Sequence, residues 1–401
     1  MNGTLRAAAG VVLLTVVLAG CGGAKPGARQ PVPASQTSAG SAPTGQLFGQ
    51  VTPGRREQVP SALRGASGLP APIVSARQLQ DGGPGPDGIP AIDHPRFLPA
   101  DSVSFLSDTE PVIAVDVGGQ HRAYPVQILI WHEIVNDTIA GIPVAVTYCP
   151  LCNSALTFDR RAAGRVLDFG VSGKLYQSDQ VMYDRQTESL WAQFVGQSIA
   201  GLLTGTRLRD YPTQTVPWGG WRAANPKGWV LSRETGFVRD YGTNPYAGYD
   251  SAPGRPFLFN GRLDPRLAAR RRVVGLGAGP DALAVAWPAP ARPAVLNVRV
   301  AGAPVTVWWQ PGTRSPLDAG TVAAGQDIGA SGAFRPELDG RGLLFSVRAG
   351  AVVDAQTGSH WSLAGRAESG PLAGRSLTPV AHVDSFWFAW LAFWPHTRLV
   401  T

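Results

Sequence analysis

The sequence predicts an α+β fold, predominantly antiparallel β, built as two pseudo-symmetric tandem copies of one β-rich unit. Three observations carry this expectation. The chain repeats itself, its apolar residues fall in short β-branched or aromatic runs divided by turn residues, and only a few stretches have helical spacing.

The repeat is clearest where Asp184-Arg185-Gln186-Thr187-Glu188-Ser189-Leu190-Trp191 recurs as Asp354-Ala355-Gln356-Thr357-Gly358-Ser359-His360-Trp361. After a one-residue slip, Gly201, Gly205, Leu208, Trp218, Trp221 and Pro226 match Gly370, Gly374, Leu377, Trp387, Trp390 and Pro395. Upstream, Asn136, Gly141, Pro143, Val144 and Val146 match Asn297, Gly302, Pro304, Val305 and Val307. The copies therefore run over residues 105–231 and 266–400, joined by an insert at 232–265 of loop-like composition. As domains, residues 69–265 hold the first copy with an N-terminal extension and the insert, and 266–401 hold the second.

Within the first copy, Val112 to Val117 and His121 to Tyr124 flank Gly118-Gly119 and read as a hairpin. Pro125 to Glu133 has the composition of a short helix. Ile142 to Tyr148, Ala155 to Phe158, Val166 to Val171 and Gln180 to Tyr183 read as strands, and the spacing of Trp218 and Trp221 fits one helical face.

Residues 1–21 read as an export signal: Arg6, then an apolar stretch from Val11 to Leu18 too short to span a bilayer, then Leu18-Ala19-Gly20-Cys21. That ending resembles the lipobox of bacterial lipoproteins, which implies acylation of Cys21, anchorage to membrane lipid and an extracytoplasmic location. Residues 22–68 are rich in Gly, Ala, Pro, Ser and Gln and read as a flexible tether, with an r.m.s. span of about 35 Å. The net charge of +7 is mostly arginine, scattered along the chain. No basic stripe singles out nucleic acid as a partner; the expected partners are lipid and an envelope protein or thiol substrate.

The most specific chemistry is Cys149-Pro150-Leu151-Cys152, because the 401 residues contain only three cysteines and Cys21 has its own fate. Two residues between sulfurs suit a redox dithiol, a small-loop disulfide or part of a metal site. In the second copy the run aligns with Gln310-Pro311-Gly312-Thr313, so the scaffold does not require the sulfurs. His132, Met182 and Arg185 are also confined to the first copy, aligning with Pro293, Val352 and Ala355. By contrast, Asp184, Asp354 and the paired tryptophans occur twice and read as turn and core residues.

Three readings of the dithiol are weighed, and the favoured one is thiol–disulfide exchange, which would make the protein a thiol–disulfide oxidoreductase. As a thiol–disulfide exchanger, Cys149 would attack and Cys152 resolve, with no cofactor. As a static disulfide, the pair would close too small a loop to add much chain-entropy stabilisation. As a copper site, Cys149 and Cys152 with Met182 or His132 would form a soft donor set suited to Cu(I); zinc is the weaker metal reading, because a structural zinc site takes four ligands and no second C-x-x-C exists. Asn153 to Phe158 reads as turn and strand, which does not fit the strand-to-helix junction of a thioredoxin plan. No G-x-S-x-G, H-E-x-x-H or full G-x-G-x-x-G is present.

Thr147-Tyr148-Cys149-Pro150-Leu151-Cys152-Asn153, Val181-Met182-Tyr183-Asp184-Arg185, Ser189-Leu190-Trp191 and Phe386-Trp387-Phe388-Ala389-Trp390 together resemble the family designated domain of unknown function 3179. The resemblance covers about residues 95 to 400. It brings no assigned activity. That family includes selenoproteins, so the resemblance implies a reactive rather than a merely structural sulfur pair.

Overall fold

A computed structural model describes residues 68–288 and 292–401. The export signal, Cys21 and nearly all of the tether lie outside the described residues. Within them, the protein is strand-rich and mostly antiparallel, with three short α-helices.

In the first half the chain forms β1 (Pro111–Val117), β2 (Gln120–Pro125), helix α1 (Val126–His132), β3 (Ile134–Ile139), β4 (Ile142–Cys149), β5 (Ser154–Asp159), β6 (Phe169–Tyr176), β7 (Asp179–Asp184), β8 (Leu190–Ala192), β9 (Gln197–Ala200), β10 (Thr213–Pro217), helix α2 (Trp218–Ala224) and β11 (Trp229–Leu231). They pair as β10-β1-β2-β11, with Phe97–Pro99 at the edge, as β5-β4-β3, and as β6-β7-β8-β9. Among these strand pairings only β2–β11 is parallel. In the second half come β12 (Arg272–Leu276), β13 (Leu283–Ala286), β14 (Ala294–Val300), β15 (Ala303–Gln310), β16 (Ala330–Phe334), β17 (Phe345–Arg348), β18 (Ala351–Asp354), β19 (His360–Trp361), β20 (Ala367–Ser369), β21 (His382–Phe386), helix α3 (Trp387–Phe393) and β22 (Arg398–Val400). Their orders are β21-β12-β13-β22, β14-β15-β16 and β17-β18-β19-β20, again with one parallel contact, β13 to β22. Strand order and sense therefore agree between the two halves.

Local chemistry explains the elements. Gly118 and Gly119, both at positive φ, turn β1 into β2. Pro125 precedes α1 and sets an extended entry, after which Val126, Ile128, Leu129 and Ile130 are fully buried. The run expected at Val166 to Val171 is split: Arg165–Val166 pairs back on Arg161–Ala162 across a Gly164 turn, and the long strand starts at Phe169. Asp184 and Asp354 are turn anchors, as their duplication implied. The Asp184 carboxylate accepts from the Thr187 amide (2.7 Å) and Trp191 Nε1 (2.9 Å); Asp354 accepts from the Thr357 amide (2.6 Å) and Trp361 Nε1 (3.0 Å). Burial opposes ionisation of Asp354, but these donors outweigh it and hold the carboxyl below its ordinary range.

The halves share one core. Ile113, Leu129, Val146 and Tyr148 belong to the same apolar cluster as Phe386, Trp387, Phe388 and Trp390. Phe194 stacks on Phe393 with ring centroids 4.9 Å apart. The Phe386 amide donates to the Cys152 carbonyl (2.9 Å), which fixes the dithiol turn against β21. No helix among the described residues is long and apolar enough to cross a membrane.

Candidate functional site

The dithiol occupies a β-hairpin turn. β4 ends at Cys149, whose register partner is Ser154, and Pro150 to Asn153 make the reversal between them. Asn153 adopts φ 51°, a left-handed conformation that asparagine tolerates better than most residues, and its amide donates to the Pro150 carbonyl (3.2 Å). Such a turn directs two sulfurs to one side without a helix behind them, so no helix dipole favours a thiolate. Both sulfurs are inside the protein, with Cys149 1% and Cys152 0% exposed.

A third group completes the cluster. The β6–β7 hairpin extends to the pair Tyr176–Asp179, and Asp179 reaches the turn. One oxygen of Asp179 and the two sulfurs all lie within 4.8 Å of one another. Cys152 Sγ donates weakly to Asp179 Oδ1 (3.7 Å) and to the Ser178 carbonyl (3.6 Å), while Asp179 Oδ2 accepts from the Phe194 amide (3.0 Å). Gln193 binds the turn to its surroundings, accepting from Ser154 Oγ (3.1 Å) and donating to Thr147 Oγ1 (2.9 Å).

The electrostatics follow from burial. Burial pushes the Cys152 thiol well above its ordinary range, and neighbouring Cys149 and Asp179 push the same way. Burial raises the Asp179 carboxyl to about 8 against the pull of the Phe194 amide. Glu133 is likewise raised to about 8 by burial and by Asp179. It sits after α1 at φ 59°, where its amide caps the Leu129 carbonyl. A left-handed non-glycine residue costs about 1–2 kcal/mol, and the position usually falls to Gly or Asn. All these groups resist negative charge as long as no cation shares their space.

The insert covers the site. Ser178 Oγ donates to the Phe257 carbonyl (2.6 Å), and the hydroxyls of Tyr246 and Tyr249 are raised by burial, with the cysteine sulfurs among the charges they sense. The insert is in turn held by the second half, where the Asn244 and Gly248 amides donate to the carbonyls of Gly320 (2.9 Å) and Asp318 (2.6 Å).

The sequence-based candidates are thus only partly brought together. Cys149 and Cys152 converge, but as free thiols, not as the disulfide considered from sequence. Met182 lies elsewhere: alternation along β7 puts it on the face opposite Asp179, packed with Phe158, Phe169 and Trp191. His132 is also withdrawn from the donor set. Its Nδ1 faces the Pro90 carbonyl (2.7 Å) and its Nε2 the Tyr241 hydroxyl (2.6 Å), so both ring nitrogens are already used. Arg185 instead pairs with Asp93 (2.8 Å) and Asp87 (3.3 Å) and ties down the N-terminal extension.

Asp179 and Glu133 are not among the residues singled out from sequence. The same subtraction of one copy from the other would have found them, since they align with Ala349 and Ala294. A family model described as "Protein of unknown function (DUF3179)" matches residues 86–397. The chain belongs to the DUF3179 family. The match takes in the dithiol turn, both acids, the covering insert and nearly all of the second half of this DUF3179 chain. No curated protein and no solved structure matches it.

Proposed function

We propose that this DUF3179 protein is an exported, lipid-anchored metal-binding protein whose first half holds one borderline divalent cation, of the zinc type, between Cys149, Cys152 and Asp179. The observation that carries the reading is the convergence of two free thiols and a carboxyl oxygen within 4.8 Å in a buried turn. A cation removes the penalty of burying these groups ionised, and the protons they release leave as it binds. An oxygen among the donors favours zinc over the Cu(I) set weighed from sequence, because Cu(I) prefers sulfur. Acylation of Cys21 supplies the anchor. We also propose that the two halves descend from one duplicated unit; their common strand order supports this.

The test is equilibrium dialysis of the full chain against zinc, with metal analysis. One equivalent is expected, with affinity lowered at least about 100-fold in Cys149→Ser, Cys152→Ser and Asp179→Asn, more than typical outer-shell substitutions cause. Equal zinc uptake by the wild type and the double cysteine variant would overturn the proposal.

A second reading, thiol redox exchange, is favoured by the adjacency of two free thiols. Burial restricts it to a small oxidant: a low-molecular-weight disulfide takes two electrons and two protons from Cys149 and Cys152 and leaves as two thiols. Thiol trapping across graded redox buffers tests it. A pair that stays reduced in strongly oxidising buffer sinks this reading and leaves the metal site standing.

A further inference from the structure

The N-terminal extension closes two sheet edges of the first half. Leu79–Asp81 adds to β6 as an antiparallel strand, with Lys174 Nζ on Asp81 (3.1 Å), and the Asp87 amide then donates to the Val171 carbonyl (2.8 Å). Ile92 closes β3: its amide donates to the Ile134 carbonyl (2.9 Å) and its carbonyl accepts from the Asn136 amide (2.8 Å). The two edges meet where Asn136 Nδ2 donates to the Phe169 carbonyl (2.8 Å). Residues 79–93 thus cross both edges, and Asp81, Asp87 and Asp93 each rest on a cation, Lys174 or Arg185.

The second half presents the same two edges in the same register. Phe345 pairs with Asp354 as Phe169 pairs with Asp184, so Val347 stands where Val171 does, and Arg348, opposite Ala351, stands where Lys174 does, opposite Val181. Measured from the Ala140-Gly141 and Ala301-Gly302 turns, Val295 and Asn297 stand where Ile134 and Asn136 do. Asn297 Nδ2 likewise donates to the Phe345 carbonyl (3.0 Å), joining the edges. The cover is what differs. Both β14 and β17 end their sheets, and among the described residues the Val295 and Val347 carbonyls and the Asn297 amide have no partner. Asn136 is buried, whereas Asn297, Arg299 and Arg348 are exposed, and neither arginine reaches a carboxylate. The Arg398 guanidinium caps the Arg299 carbonyl (2.7 Å) and ends the open stretch there.

An open edge offers backbone donors and acceptors that an extended peptide completes. Charge selects which peptide. A second copy of this edge would bring arginines to arginines, whereas an acid opposite Arg348 repeats the Asp81–Lys174 pair. We propose that the β14–β17 edge docks an extended, acidic segment of a partner protein, which follows the path that residues 79–93 take over the first half and sets a carboxylate on Arg348. This site is separate from the dithiol and does not rest on the metal reading.

Fluorescence anisotropy of a labelled peptide of residues 79–93, titrated with the full chain, tests it. One saturable site per chain is expected, weakened by added salt. Arg348→Glu, a change at an exposed side chain, should lower affinity about tenfold, since it replaces an attraction by a repulsion. A peptide carrying Asp81→Lys should bind the wild type weakly and recover most of the lost affinity on Arg348→Glu. The proposal is overturned if the wild type shows no saturable binding. It is equally overturned if Arg348→Glu binds the unaltered peptide as tightly as the wild type, which would mean exchange with the chain's own extension. A wild-type dimer that Arg348→Glu dissociates in sedimentation would give the edge to a second copy and overturn it as well.

Discussion

The turn between β4 and β5 and its counterpart between β15 and β16 begin alike and then part. In the first half Cys149 pairs with Ser154, and a short reversal holds the sulfurs inside. In the second, Gln310 pairs with Ala330, and the connection runs from Pro311 to Gly329. Asp327 organises its base by accepting from the amides of Gly312 (2.9 Å), Thr313 (3.2 Å) and Gly329 (2.8 Å). The loop then reaches the insert through the Gly320 and Asp318 carbonyls and through Ser315 Oγ, which donates to Asp250 (2.6 Å). One turn carries the two buried thiols and the other props the insert over them. Turns at the same place in the strand order thus differ in what they hold.

The largest expected effect breaks that support. Arg272 and Asp250 form a pair (2.8 Å) with side chains 11% and 1% exposed, joining β12 to the insert. Arg272→Ala leaves a buried carboxylate without its cation and should lose about 3–5 kcal/mol in urea unfolding. A loss under 1 kcal/mol would show that the Arg272–Asp250 pair is not what holds the insert to the second half.

Much of this arrangement was legible in the sequence. The antiparallel β class, the hairpin at Gly118-Gly119, the α1 helix and the structural role of Asp184 and Asp354 all follow from local spacing and from comparing recurrent stretches of the sequence. What was not legible depends on tertiary reach. Asp179 comes to the sulfurs because β6 and β7, eight and six residues long, outgrow the four-residue strands β17 and β18. His132 is drawn away by Tyr241, which lies more than a hundred positions along the chain, and no spacing rule anticipates that contact.

Next in size is a change expected to act equally on both halves. Asp184→Ala and Asp354→Ala each strip a buried carboxylate from the amide and indole donors that it satisfies. Each should cost roughly 3 kcal/mol, since hydrogen bonds to charged groups are worth about 1.5–3 kcal/mol apiece and the losses overlap. Paired urea melts check this; a difference above about 2 kcal/mol between the variants would separate the two turns functionally.

A smaller effect is confined to the first half. Burial lowers His132 to about 4, with Arg239 adding to the burden, although the Pro90 carbonyl pulls the other way. The unfolded imidazole takes up its proton near 6.5, so the native state binds fewer protons between these values and stability rises with pH across that window. Its contribution is complete above about 6.5 and is lost as pH falls toward 4, amounting to about 2 kcal/mol between pH 7 and pH 5. His132→Gln should flatten that part of the stability profile in urea melts at the two pH values. An unchanged slope would assign the pH dependence to other groups.

The smallest effect is the one that most sharpens the contrast. If the sulfurs serve the fold, Cys149→Ala and Cys152→Ala should be as costly as other core truncations, several kcal/mol. If they serve chemistry, each removes one buried sulfur and leaves a small void, and the cost in the metal-free protein should be near 1 kcal/mol. Gln310 already fills the strand-end position of Cys149 in the second half, which supports the lower figure. Because a bound cation stabilises only the folded protein, zinc should raise the wild-type melting temperature and leave both variants unmoved. A large metal-free loss together with an unmoved wild type would return the pair to the scaffold and make the two turns different only in shape.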